Sequence, residues 1–186
     1  MIKQFGFIRA TLLLAIAAMA VLGLSPAYAA SGHQLDQDAE AALKALYDSS
    51  PGAKALGDKA KGILVFPNIV KAGFILGGQG GDGVLFKRGK KAGYYNSGAV
   101  SVGLQAGAQS FGYALFFLTD SAVKYLETSS GWAIGTGPSI VVVDAGAAKD
   151  ISTLTGKSDV YAFIFDQKGL MAGIGLQGSK ITKITK

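Results

Sequence analysis

The chain has 186 residues, 18 of them basic and 12 acidic, which gives a formal charge of +6 at pH 7; it has no cysteine. This positive charge permits contact with anionic surfaces but is too mild to demand nucleic acid, so we expect no nucleic-acid partner. Because no disulfide can form, packing alone must stabilise the fold.

The N-terminus has the three-part pattern of a secretory signal. Lys3 and Arg9 precede an apolar run at residues 10–24, and A-Y-A then provides the small residues of a cleavage site. The run is shorter than the roughly 18 apolar residues that a spanning helix needs. We therefore expect cleavage after residue 29 and a single domain of residues 30–186, in a bacterial periplasm or outside the cell.

Two helices are predicted at the start of this domain. Apolar residues recur at three- and four-residue spacing between residues 35 and 47, which indicates an amphipathic helix after a loose start. Ser50 and Pro51 are typical of the N-cap and first residue of a second helix, which we expect to end near Gly62.

From residue 63 the apolar pattern takes the two-residue period of β-strands. The alternation is clearest at residues 100–108, and the parity of the large residues changes near Ser110, which indicates a bulge. Strands are predicted at residues 63–66, 72–76, 84–87, 100–108, 111–117, 139–143, 160–165 and 170–176, with a turn at 166–169. A helix at residues 121–128, capped by Thr119 or Asp120, is inserted among them.

Most of the 27 glycines fall inside the strand-like segments, where glycine marks bulges, sharp curvature or close backbone approach. The predicted fold class is therefore α+β. N-terminal helices precede a strongly curved, mainly antiparallel sheet, either barrel-like or a sandwich, with one inserted helix.

The stretch GGQGGDGVLF at residues 77–86 fits both the GxGxxG dinucleotide motif and the GGxGxDxUx calcium motif. The dinucleotide motif needs a helix next and an acid about 20 residues on. Here a strand-like segment follows, and no acid occurs between Asp82 and Asp120. The calcium motif needs several stacked copies, and one carboxylate is too little for this ion. The pattern favours a structural hairpin turn formed by Gly80, Gly81, Asp82 and Gly83.

Other catalytic patterns are incomplete. The only histidine, His33, falls in the expected loose start, and a phosphate-binding loop before Lys157 would need glycine where Ile151 stands. Asp144 and Asp150 lack neighbours that could share a metal. We predict no catalytic residue, no metal site, no cofactor and no enzymatic activity.

A basic cluster is the remaining candidate site: Lys87, Arg88, Lys90 and Lys91 surround Gly89 at a predicted turn. It is either a solvated hairpin tip or a patch for anionic lipid headgroups, to which each cation contributes about 1 kcal/mol. Lys59 and Lys61 extend the candidate patch. Three aromatic residues are open to two interpretations, insertion into a membrane interface or ordinary core packing: Tyr94, Tyr95 and Trp132.

Three segments resemble the SYLF domain family, also called the Ysc84-type actin-binding domain: AKGILVFPNIVKAGFILGGQGGDGVLF, GYYNSGAVSVGLQAGAQSFGYALFFLTD and GLMAGIGLQGSKITKI. The resemblance covers about residues 55–184. It implies lipid binding, since eukaryotic members bind phosphoinositide membranes, through an N-terminal basic amphipathic helix. Here the first helix carries more acid than base, so the second, with Lys54, Lys59 and Lys61, matches better.

The combined prediction is a non-enzymatic module of the bacterial envelope that binds anionic phospholipid through the basic hairpin. The alternative is a structural or stress-related envelope protein that binds another envelope protein. Fungal members of the family associate with actin, but actin is not expected as the partner of an exported protein.

Overall fold

The elements of the fold follow the predicted order of helices first and sheet second. The computed structural model of the chain describes residues 31–144, 158–169, 176 and 178–186. Ser31–Lys186 forms a compact unit of its own. The elements in chain order are α1 (Gly32–Ser49), α2 (Pro51–Gly57), β1 (Gly62–Lys87), β2 (Lys90–Phe117), α3 (Asp120–Thr128), β3 (Trp132–Ala133), β4 (Ile140–Asp144), β5 (Val160–Gly169) and β6 (Lys180–Ile184).

The predicted fold class is confirmed: N-terminal helices pack on a curled, mainly antiparallel sheet with one inserted helix, α3. The sheet is a half-barrel, so of the two predicted forms it is the barrel-like one. None of the helices in the described part of the chain has the length and apolar content needed to cross a membrane.

Local capping sets the helix boundaries. The Ser31 hydroxyl accepts a hydrogen bond from the Gln34 backbone N–H at 3.3 Å and starts α1, three residues before the predicted start. Ser50 caps α2 in the same way through Ala53, and Pro51 is its first residue, as predicted. The helix ends at Gly57, earlier than predicted.

The long strand β2 organises the sheet. On one side it pairs antiparallel with β1 over almost its whole length. On the other side its first part pairs with β6, and its last part pairs with β5. β3 extends the sheet beyond β6, and β4 lies parallel to β5. β5 is therefore an interior strand, as its apolar sequence predicted.

Register shifts bend this sheet. β1 continues through Pro67 with an irregularity between Phe66 and Ile69, where the sequence predicted the strand to end. The predicted bulge near Ser110 is confirmed, since the pairing of β2 with β5 shifts between Ser110 and Gly112.

Where the helices pack on it, the sheet is buried on both faces. One face carries the main core, which α3 closes with Val123 and Leu126. The other face lies under α1, where the ring of Tyr47 contacts that of Phe116 with centroids 6.3 Å apart. Alternation along β1 and β2 places neighbouring residues on opposite faces, so both faces need apolar side chains. The largest members of the main core are Phe66, Tyr95, Phe111, Tyr113, Phe117 and Trp132.

The predicted turn at Gly80, Gly81, Asp82 and Gly83 is wrong. These residues lie inside β1 and pair with residues 95–98 of β2. A side chain at Gly81 would collide with the carbonyl oxygen of Asn68. A Cβ at Gly83 would lie 2.6 Å from the carbonyl oxygen of Val65. The glycines therefore let the two ends of the curled strand β1 approach each other closely.

The C-terminal strands differ in part from the sequence pattern. The predicted turn at residues 166–169 is wrong, because β5 continues to Gly169 with Asp166 at a φ of 56°. The predicted strand at residues 170–176 lies outside the described residues except for Leu176. β3 and β6 were not predicted.

Candidate lipid-binding surface

The basic cluster forms the tip of the β1–β2 hairpin, as predicted. Arg88 and Gly89 are its two central residues, with φ angles of 51° and 73°, and Lys87 pairs with Lys90 across the turn. Two successive positive φ angles are typical of a type I′ turn, whose twist matches that of the flanking strands. The tip is therefore a defined turn that continues the sheet.

Two of the four cations are engaged in ion pairs. Lys87 Nζ lies 2.9 Å from a carboxylate oxygen of Glu127 on α3, and Lys91 Nζ lies 2.6 Å from Asp36 on α1. Lys91 also donates to the hydroxyl of Tyr94 at 2.9 Å. The hydrogen bond to Asp36 raises the pKa of Lys91 above its ordinary value. These ion pairs connect the tip to two helices and partly offset the charge of both lysines.

Arg88 and Lys90 are the available cations of the tip. Both side chains are exposed, and neither has an ion-pair partner among the residues that the structure describes. Lys59 and Lys61 are exposed as well. The Cβ position of Gly62, the residue after Lys61, lies 3.7 Å from the carbonyl oxygen of Phe86 in β1. Folding therefore brings the connection between α2 and β1 close to the hairpin tip.

An apolar groove lies between α1, this connection and the tip, with a volume of about 420 Å³. We call it the α1–tip groove. Its apolar lining consists of Leu43, Tyr47, Ile63 and Phe86 with the small residues Gly57, Ala60 and Gly62, and its charged lining of Glu40, Lys44, Asp58 and Arg88. Its size lies in the range of small-molecule sites, about 300 to 1,000 Å³.

Tyr47 is one of the two aromatic residues that line this groove. The pKa of Tyr47 is raised to about 12, mainly by burial and to a lesser extent by the negative charge of Asp58. The ammonium group of Lys54 lies 5.8 Å from the centre of the Tyr47 ring. The hydroxyl is neutral at physiological pH, so Tyr47 adds no charge to the groove.

Of the two interpretations left open for the three aromatic residues, core packing is the correct one for two of them. Tyr95 and Trp132 are each 1% exposed and belong to the main core. The Trp132 indole N–H donates to the Thr136 carbonyl at 2.7 Å. Tyr94 is half-buried, and its hydroxyl donates to Asp36 at 3.2 Å. The core interpretation therefore holds for Tyr95 and Trp132.

Asp82 of the glycine-rich stretch has a structural role in β1. One carboxylate oxygen accepts a hydrogen bond from the Asn96 amide at 2.7 Å, and the other lies 2.7 Å from Lys186 Nζ. Burial opposes its ionisation, but the hydrogen bonds from Asn96 and Lys186 outweigh this effect and lower the pKa of Asp82. The carboxylate is thus already neutralised by protein groups.

The α1–tip groove is the part of the site that the sequence did not predict. Leu43 and Tyr47 are four residues apart on α1 and are only half-buried, whereas Leu35, Ala39 and Leu46 are buried. This spacing extends the apolar stripe of the helix sideways, which is the one sequence signal for the groove.

These features describe an α+β domain with a cationic tip beside an apolar groove. Residues 98–186 match the Ysc84 family, described as Las17-binding protein actin regulator. This match confirms the resemblance seen in the sequence over residues 98–186, and the Ysc84 (SYLF) family is a family of binding domains. No curated protein matches the chain.

Proposed function

We propose that this protein is a non-enzymatic lipid-binding module of the bacterial envelope that recognises anionic headgroups with its hairpin tip. The observation that carries the proposal is the exposure of Arg88 and Lys90 on a type I′ turn fixed by two ion pairs. Lys59 and Lys61 add charge from the connection next to the groove. The family assignment supports a binding role.

The strength of this binding follows from the number of available cations. Each basic residue near an anionic membrane contributes about 1 kcal/mol, and exposed charges are screened by salt within about 10 Å at 0.1 M ionic strength. The four cations Arg88, Lys90, Lys59 and Lys61 then give weak, salt-sensitive and reversible attachment to the membrane. Lys87 and Lys91 support the tip but add less, because Glu127 and Asp36 partly offset their charge.

Vesicle flotation of residues 30–186 tests this function. We expect co-flotation with vesicles that contain phosphatidylglycerol, loss of binding in high salt, and no binding to vesicles of phosphatidylcholine alone. The double substitution Arg88→Gln and Lys90→Gln, which removes two positive charges, should remove most of the binding. The matched double substitution Lys87→Gln and Lys91→Gln, which changes the same number of cations, should retain most of it. Equal binding by both variants would contradict the assignment of the tip.

A second candidate function is binding to another envelope protein through the sheet. Two exposed valines favour it: Val100 of β2 is 84% exposed and Val70 of β1 is 51% exposed. Pull-down from envelope extract distinguishes the two functions. A stoichiometric protein partner that is lost on Val100→Ser substitution and retained after detergent extraction of lipid would favour protein binding. Actin cosedimentation tests the activity that the family description names, and we expect none.

A further inference from the structure

The charges that line the α1–tip groove have both signs. Arg88 comes from the hairpin tip, Glu40 from α1 and Asp58 from the end of α2. None of the three has an ion-pair partner in the described part of the chain. Lys44 also lines the groove, but Asp48 holds it at 2.6 Å. One guanidinium and two carboxylates are therefore available at the edge of one apolar groove.

A purely anionic ligand does not satisfy this set of charges, because it would approach two carboxylates as well as one guanidinium. A purely cationic ligand leaves the positive charge of Arg88 without a partner. A headgroup with a phosphate and an ammonium group satisfies both signs. The apolar lining of the groove, which includes the neutral side chain of Tyr47, suits a hydrocarbon chain rather than a polar polymer.

We propose that the α1–tip groove binds one acyl chain of a zwitterionic amphiphile of the phosphoethanolamine type. Its phosphate would contact Arg88, and its ammonium group would contact Glu40 and Asp58. The chain would lie along Leu43, Tyr47 and Ile63. This inference deepens the proposed lipid-binding function and rests on it, since a tip held at a membrane surface brings the groove to the lipids that enter it.

Small residues keep the groove open. Gly57, Ala60 and Gly62 line it without large side chains. A side chain at Gly57 would collide with the hydroxyl of Tyr47, so substitution there would disturb the fold as well as the groove. Ala60 is partly exposed on the irregular connection and is the better position to fill.

Calorimetry on residues 30–186 tests the proposal with defined probes, all below their critical micelle concentrations. The zwitterionic probe is lauroyl lysophosphatidylethanolamine, and the single-sign controls are dodecyl phosphate and dodecylamine. We expect the zwitterionic probe to bind about fivefold or more tightly than either control, the factor for one added charge contact. Glycerophosphoethanolamine, which has no acyl chain, should not bind.

Two substitutions separate the groove from the tip. Ala60→Phe should reduce binding of the lysolipid by at least about tenfold, since it fills the apolar site, while flotation with anionic vesicles persists. Glu40→Gln with Asp58→Asn should remove the preference for the zwitterionic probe over dodecyl phosphate. Circular dichroism and the thermal midpoint identify a variant that fails to fold, and Leu43→Trp then serves as the second groove-filling substitution.

The outcomes distinguish the groove from the proposed function. A protein that floats with anionic vesicles but binds no monomeric amphiphile overturns the groove proposal and leaves the function standing. Lysolipid binding that Ala60→Phe abolishes, with no flotation, supports the groove and overturns recognition of headgroups by the tip. Equal affinity for the lysolipid and dodecyl phosphate overturns the assignment of the ammonium contact.

Discussion

The hairpin tip and the glycine-rich stretch of β1 both depend on glycine, but for different physical reasons. At the tip, Gly89 has a φ of 73° and no atom within 4 Å of a Cβ position, so the backbone angle alone requires glycine. Within β1, Gly83 has an extended backbone, and the neighbouring carbonyl of Val65 leaves no space for a side chain. One region needs the conformational freedom of glycine, and the other needs its small size.

Of the substitutions that test this comparison, the one at Gly83 should lower the free energy of unfolding most. Gly83→Ala places a Cβ 2.6 Å from both the Val65 carbonyl oxygen and a ring carbon of Phe66. Backbone cannot yield as a flexible side chain does, so we expect a loss of about 3 kcal/mol in the free energy of unfolding, measured by urea denaturation.

Gly78→Ala is the matched control in the same strand. Its Cβ would lie 3.9 Å from the nearest atom, the carbonyl oxygen of Ala99, which is ordinary contact. Unfolding stability should stay within about 1 kcal/mol of the parent and can rise, because glycine weakens a strand interior. Equal losses at both positions would contradict the close approach of the two ends of β1.

A smaller effect is expected at the tip. Gly89→Ala meets no steric contact, but the positive φ should lower the free energy of unfolding by about 1 to 2 kcal/mol. Gly89→Asn should lose much less, since asparagine tolerates this conformation. Thermal denaturation of the two variants measures the difference, and a larger loss for asparagine would refute the backbone explanation.

The pH dependence at Asp82 provides a third comparison. Its pKa is lowered in the folded state, so its stabilising effect is present above the unfolded pKa of about 3.9 and is lost as the pH falls through the lower, folded pKa. Its side chain is 24% exposed, so we expect at most about 1 kcal/mol. Asp82→Asn should be less stable than the parent at pH 7, and the difference should shrink below pH 4 in urea titrations.

The smallest effect is expected for the ion pair between Lys87 and Glu127. Both side chains are at least a third exposed, and such pairs contribute about 0.5 kcal/mol. A double-mutant cycle with Lys87→Gln and Glu127→Gln should give a coupling energy of this size that falls in high salt. A coupling above about 2 kcal/mol would show that the pair is central to the position of the tip.

The sequence predicted those features that depend on neighbouring residues. Ser50 and Pro51 marked the start of α2, and the changed parity at Ser110 marked the bulge, because capping and strand alternation act within a few positions. β6 was missed, since its five residues alternate too briefly to distinguish a strand from a loop.

Features made by distant residues could not be predicted in this way. Gly81 lies close to the Asn68 carbonyl only because β1 curls back on itself. The sequence does not show this contact, so Gly81 was predicted to be a turn residue. Asp36 and Lys91 are 55 positions apart in the sequence. Their ion pair distinguishes Lys91 from Arg88, which has no ion-pair partner in the described part of the chain. The four cations looked equivalent in sequence, whereas in the folded tip two of them, Lys87 and Lys91, form ion pairs with the helices.

The position of Ser97 in β2 has a consequence for how the domain should be divided. Ser97 accepts a hydrogen bond of 2.7 Å from the buried Tyr113 hydroxyl, and the family match begins at the next residue, Gly98. A protein cut at that boundary would lose this acceptor, the hairpin tip and the whole of β1, which pairs with β2 along its length. The stretch that matches the family model is therefore shorter than the stretch that must fold together, and expression of residues 98–186 alone should give an aggregation-prone fragment.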